Sequence, residues 1–427
     1  MTRLPVVSTA RAVILIVVLS LASAGVVAWF SRAPASLREA GPGPHATDPD
    51  LGADFTEEQV ARGDAYRKPG YLSFAVGAVL QLSVLLLLAR GPMGRLVDAL
   101  DRVPGGWPVR ALLAAAALAV ILALATLPLA FVRGYVVAHD WGLSTQDVGG
   151  WLSDQGRSLL VAAGTLSVAA VAFYAVVRWR PGSWWLWGWG AFTILTAVLA
   201  YIYPVIIAPL FFNFSTLEDA ELTREIKSLA AEAGIEVDRV LVADASRRTT
   251  SENAYVAGFG ATKQVVVYDT LLEAGGRDET LFVVAHELGH QRANHVLKNV
   301  ALGSLALLGS FALLGWLGRG DWPWSWAGAE GVGDLRALPL LAVFALLVGF
   351  VLLPAENLVS RTFEREADAT ARELNDDPDT AVRTFRRLAF ANLADLDPPP
   401  LAVWALFTHP PIPDRIEVFL APSQDSP

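Results

Sequence analysis

The sequence predicts a mainly α, integral-membrane protein with two water-facing pieces, and three observations predict it. Hydrophobic residues make up 54% of the chain against 18% charged, with a mean hydropathy of +0.43. A soluble globule is nearer a quarter charged. Apolar runs of about 18 residues or more, the length that crosses a bilayer, recur seven times. Fourteen Trp accompany them, and such rings favour the membrane–water interface. Disorder, fibrous repeats and a disulfide scaffold are excluded by the same composition. With no Cys, any metal has to be held by His, Asp or Glu. The net charge of -9 argues against a nucleic-acid partner.

The seven runs fall at roughly 12–30, 71–89, 111–132, 159–178, 184–210, 299–317 and 337–354. Arg3 and Arg11 precede the first, and Ala22-Ser23-Ala24 resembles a signal-peptidase site. Its apolar stretch nevertheless continues to Phe30, so it reads as an uncleaved span. The segment 31–66, with Gly-Pro-Gly-Pro and acidic residues, reads as an exposed loop. The fifth run starts in a cluster of Trp184, Trp185, Trp187 and Trp189 and reads as a tilted span that begins at the interface. The expected domains are therefore 1–210 (five spans and loops), 211–298 (a first soluble segment), 299–354 (spans six and seven) and 355–427 (a second soluble segment). Within 211–298, residues 217–233 have helical periodicity, with Leu222, Ile226, Leu229 and Ala230 on one stripe. Arg239–Ala243 and Gln264–Tyr268 read as short strands, and 281–299 as another helix. Loop Lys and Arg are too evenly spread to orient the chain, but an odd span count puts the termini on opposite sides.

The informative motif is Val283-Val284-Ala285-His286-Glu287-Leu288-Gly289-His290. His286 and His290 are four apart, so both imidazoles leave one helical face and can share a cation. Glu287 lies between them, where a carboxylate can act as general base on a water. Two His plus a carboxylate is the catalytic zinc set open to a chain without Cys. Gly289 costs about 1 kcal/mol in a helix interior relative to Ala, so the close approach of another element is expected there. Ala293 and Val296 stand where a metzincin needs Gly and His, which excludes that class.

The third ligand must come from elsewhere. Downstream, Glu364 and Asp368 are four apart on one helical face, with Glu366 roughly opposite. The expected assignment is Glu364 on zinc and Asp368 orienting a ligating His. His295 falls off the ligand face by its five-residue offset, and neither His45 nor His139 reads as a ligand. Spans six and seven form a hairpin that returns the chain to the same side, so the two motifs can meet.

With these residues the chain resembles the type 1 CAAX prenyl protease family, integral-membrane zinc endopeptidases. Supporting matches are Leu210 through Asp219, Asn253-Ala254-Tyr255 with Val265 through Thr270, Ser360-Arg361 through Asp368, and His409-Pro410 with Arg415. Arg292, where an apolar residue is usual, and His139-Asp140-Trp141-Gly142 depart from the pattern. The resemblance implies a seven-transmembrane-helix α-barrel around an intramembrane chamber. A zincin-like metalloprotease domain with a small β-sheet, built from 211–298 and 355–427, would cap it. The resemblance also implies one Zn2+ per chain, with Asn253 on a strand that binds extended peptide. His409 and Arg415 would, by the same resemblance, stabilise the oxyanion. The expected substrates are peptides or membrane-associated proteins, with or without an attached lipid, and the expected location is the cell membrane with the active-site domain cytoplasmic. Only four of 33 basic residues are Lys, a bias that reads as a GC-rich bacterial genome, where protein prenylation is not expected. A site-2-type intramembrane protease is disfavoured because Gln291 through His295 follows the motif at once. The remaining alternative is a transporter or scaffold that keeps the fold without peptidase activity.

Overall fold

The computed structural model describes residues 6–39, 55–258 and 263–421. The membrane region begins with α1 (Thr9–Phe30), opened by the Ser8 side chain accepting from the Arg11 amide. After the short α2 (Ala35–Glu39) comes α3 (Glu57–Ala89), started by a reciprocal capping box between Thr56 and Gln59. That cap corrects the expected loop over 31–66. Its tail end is the first turns of a helix, while 40–54 and His45 lie outside the described residues. Next are α4 (Pro92–Leu100) and α5 (Gly106–Phe131), which continues through a π turn into α6 (Ala138–Asp140). Asp147 caps α7 (Val148–Trp179), and α8 (Trp184–Ile202) runs on through a π turn and a 3-10 turn ending at Leu210.

The soluble region is a four-stranded sheet with helices against it. Strand β1 (Phe214–Thr216) precedes α9 (Ala220–Glu232), whose first amides are capped by Asp219. Then follow β2 (Arg239–Ala243), β3 (Ala254–Ala257), β4 (Gln264–Tyr268) and α10 (Asp269–Ala274). The strand order is β1-β2-β4-β3; only β2 and β4 pair in parallel, and β3 is an edge. Strands β1 and β3 are too short for an alternation signal. Leu222, Ile226 and Ala230 of α9 pack with Val265 and Val267 of β4 and with Val284 and Leu288 of α11 (Arg277–Arg292).

The helix expected over 281–299 is in fact two. Helix α11 ends at Arg292, Asn294 takes the left-handed conformation at φ 54°, and α12 (His295–Leu317) starts on a new axis. Helix α13 (Leu338–Leu374) runs 37 residues without a break, through Pro354 and on to Glu364 and Asp368. The ligand segment is thereby a rigid extension of the seventh span. Helices α14 (Pro378–Ala391), α15 (Pro400–Leu406) and α16 (Ile412–Leu420) complete the chain. Phe282 of α11, Phe385 of α14 and Phe419 of α16 meet edge to face at 5.3–5.5 Å.

Among the described residues, seven helices are long and apolar enough to cross a bilayer. Each touches its neighbours in a closed circuit: α5 on α1, α1 on α3, α3 on α13, α13 on α12, α12 on α8, α8 on α7, and α7 on α5. Inside it lies a cavity of about 470 Å³ lined by Leu118, Phe173, Phe192, Phe311 and Phe344, with Glu356 at its wall. The membrane and soluble regions are tied by α3. Arg67 donates to the carbonyls of Asn392 and Leu393 at 2.7 Å, Tyr71 donates to Asp395 at 2.6 Å, and Gly63 lets the Ala394 carbonyl approach closely.

This arrangement predicts that single Cys placed at exposed Ser228 and Glu417 label from one side of the membrane with an impermeant thiol reagent, and Cys at Ala10 from the other. The Cys-free background makes the assay clean. Labelling of the first two from opposite sides would break the fold described here.

Candidate active site

Helix α11 carries Asp278 and Glu279 in its first turn, where negative charge suits the helix N-terminus. Its apolar residues Val284, Ala285 and Leu288 are fully buried, and Ala285 shares a core cluster with Ala371 of α13. Gly289 is the contact point. A Cβ there would lie 2.8 Å from the Ala367 Cα and 2.9 Å from the Ala367 carbonyl oxygen. The close approach expected from the sequence is therefore α13.

His286, His290 and Glu364 converge, with one ligand atom from each lying within 4.8 Å of the others. The two Nε2 atoms are 3.2 Å apart; that of His286 lies 3.4 Å from Glu364 Oε2 and that of His290 3.4 Å from Glu364 Oε1. Tetrahedral zinc with bonds of ~2.0–2.1 Å spaces its donors about 3.3–3.4 Å apart, so the residues present fit that ion. Glu364 is 4% exposed, and its Oε2 has no hydrogen-bond donor, a cost that a bound cation removes.

Each imidazole is braced from behind. His286 Nδ1 lies 2.8 Å from Asp368 Oδ1, which leaves Nε2 facing Glu364. Asp368 is itself held by Arg415, through Nη2 at 2.5 Å and Nε at 2.8 Å. Burial opposes the His286 cation, but the hydrogen bond to Asp368 and the nearby Glu364 carboxylate outweigh it and push its pKa up to about 9. A metal must displace that proton. His290 Nδ1 lies 2.9 Å from His295 Nδ1, and His295 Nε2 lies 2.9 Å from Glu366. Phe363 stacks on His295 at 4.1 Å. The five-residue offset that sets His295 aside in the sequence holds only along one straight helix. The break at Asn294 swings His295 back onto His290, and Glu366, on the far side from the ligands, meets it there.

A cavity of about 760 Å³ opens beside these groups. Its wall includes His286, Glu287, Asn253, His409 and Arg415. Burial pushes the Glu287 carboxyl up, against the pull of His286 and His290. Arg415 Nη1 is 3.9 Å from Glu364 Oε2, and His409 Nε2 is 3.4 Å from Glu364 Oε1. The His409 loop is pinned from below. Arg361, buried on α13, donates to the carbonyls of Val403 at 2.8 Å and Phe407 at 2.6 Å, and Asn357 donates to that of Ala405. The tie between Arg361 and this loop has no sequence signal, because its partners are carbonyls some forty residues on. His139 stays away from the site, its ring bonded to the carbonyls of Tyr135 and Gln146.

Fold and site together define a multi-pass membrane zinc metalloprotease, and comparison with known proteins supports that class. Residues 216–422 match the model of peptidase family M48, and 45–213 match that of the CAAX prenyl protease N-terminal region, five membrane helices. The chain is 36% identical over 302 residues to YhfN, an uncharacterized metalloprotease of Bacillus subtilis, covering 70% of this chain and 71% of that one. It is 30% identical over 310 residues to CAAX prenyl protease 1 of Saccharomyces cerevisiae, covering 69% and 68%. The crystal structure of S. mikatae Ste24p superposes with a TM-score of 0.77 at 22% identity, over 96% of this chain and 99% of that one. The chain belongs to peptidase family M48. A transporter or scaffold without peptidase activity is not favoured.

The donor geometry predicts that the purified protein binds about one zinc, and that His286→Ala and Glu364→Ala lose it in metal analysis. Full retention by Glu364→Ala would move the third ligand elsewhere.

Proposed function

We propose that the protein hydrolyses peptide bonds at the membrane surface, with one Zn2+ held by His286, His290 and Glu364 and with Glu287 as general acid–base. The observation that carries this reading is the convergence of the three donor side chains, with Glu287 beside them on the cavity wall. When bound, zinc supplies Lewis-acid polarisation of the scissile carbonyl and a lowered pKa for a coordinated water. Glu287 takes the proton of the attacking water and returns it to the leaving amide nitrogen. Arg415, fixed by Asp368, and His409, carried on its pinned loop, donate to the carbonyl oxygen as charge develops there. Asp368 sets the tautomer of His286. Asn253, at the start of edge strand β3, receives the extended peptide backbone.

Substrates are peptides or membrane-associated proteins. The apolar cavity within the helix ring has room for a hydrocarbon chain, which supports lipid-bearing substrates, as do relatives named CAAX prenyl protease. The enzyme would reside in the cell membrane with the soluble region cytoplasmic.

Glu287→Gln is expected to keep zinc yet lose peptidase activity by at least about a hundredfold, since only the base is removed. Arg415→Met should lower kcat by a comparable factor. Turnover in Glu287→Gln comparable to wild type would remove Glu287 from the mechanism.

A further inference from the structure

Strand β3 is one of the two edges of the sheet, with no further strand beyond it among the described residues and α11 packed beside it. Its register with β4, and the 3.0 Å bond from the Tyr268 amide to the Asn253 carbonyl, turn the backbone groups of Asn253, Tyr255 and Ala257 inward. Those of Ala254 and Val256 consequently point away from β4, to the open edge. These are the groups an added peptide strand would pair with. Two of them are already engaged. The Ala254 amide donates to Asn253 Oδ1 at 2.9 Å, and the Val256 carbonyl accepts from Gln291 Nε2 at 3.1 Å.

The two caps differ in kind. Asn253 is exposed on the cavity wall, and its short side chain can turn to a ligand and release the Ala254 amide. Gln291 is half-buried and follows His290 directly, so its backbone is fixed by the metal-binding helix. The cavity agrees with this asymmetry: it touches the chain at Ser251, Glu252 and Asn253 and does not extend along Ala254–Ala257.

We infer that Gln291 is a length stop, closing the substrate-binding edge at Val256 so that the enzyme prefers peptides with a short segment on that side of the scissile bond. This rests on reading β3 as the peptide-binding strand. A peptide running toward Ala257 pairs at Ala254 and then meets a carbonyl already in use. A longer segment has to displace Gln291 or leave the edge. Gln291 is thus a specificity residue that discriminates by length, through a backbone group rather than a side-chain pocket.

The test uses the zinc-loaded full-length protein and two series of peptides with one cleavable core, extended stepwise at the N-terminus in one series and at the C-terminus in the other. Products are assigned by mass and kcat/KM is measured for each length. For wild type, kcat/KM should fall with extension in one series and stay level in the other. Gln291→Met, of similar volume without a donor, should raise the long-to-short ratio in the sensitive series by about fivefold to tenfold, the weight of one hydrogen bond. Gln291→Glu, which also cannot donate, should raise the same ratio. A packing defect would lower long and short peptides alike, and that result in both variants would overturn the proposal. So would an active wild type indifferent to length in both series. A wild type as inactive as Glu287→Gln on every peptide would overturn the peptidase reading itself, and the length stop with it.

Discussion

The site depends on how closely α11 and α13 cross. Gly289 sits at the crossing with no room for a methyl group: its absent Cβ would fall 2.8–3.0 Å from Ala367 and Thr370. Carbon atoms in ordinary contact stand about 3.5–4.0 Å apart. The separation of the two helix axes fixes how far the imidazoles of His286 and His290 lie from the carboxylate of Glu364. Zinc tolerates little deviation in that distance, about 0.2 Å per bond. A residue that weakens its own helix is therefore what lets two helices form one site.

The remainder of the structure holds that crossing in place. Helix α13 is one rod from the bilayer to Asp368, so its position is set by the ring of spans around it. Helix α11 is set by the sheet on one side and by the Phe282–Phe385–Phe419 cluster on another. Behind the ligands, Asp368 with Arg415 and His295 with Glu366 lock the two rings. Each ligating imidazole thus ends in a carboxylate, one directly and one through a second imidazole. Such partners raise ligand basicity and fix which nitrogen faces the metal.

Much of this is legible in the sequence where the signal is local. Hydropathy is a property of consecutive residues, so the seven spans can be marked; their closure into a ring depends on contacts that no window contains. The His286–His290 and Glu364–Asp368 pairs follow from four-residue spacing, and their meeting from the hairpin of spans six and seven. His295 is lost because a left-handed residue at Asn294 breaks the helix, and nothing in the flanking residues forces that break. The bond of Gln291 to Val256 and the grip of Arg361 on the His409 loop are hidden for another reason. Both join a side chain to a distant backbone carbonyl, an acceptor that every residue offers, so no residue type marks the partner. The short strands β1 and β3 lack the length for alternation, and the resemblance to a known family is needed to suggest β3.

The most direct measurement is zinc affinity in Gly289→Ala, which leaves every ligand in place. By helix propensity alone the change stabilises α11 by about 1 kcal/mol. By the crossing constraint it pushes α11 from α13 by up to about 1 Å, given ordinary contact distances. The expected variant keeps wild-type helix content and binds zinc at least about tenfold more weakly, comparable to loss of a group that orients a ligand. Wild-type zinc affinity in Gly289→Ala would show that the crossing distance does not set the site.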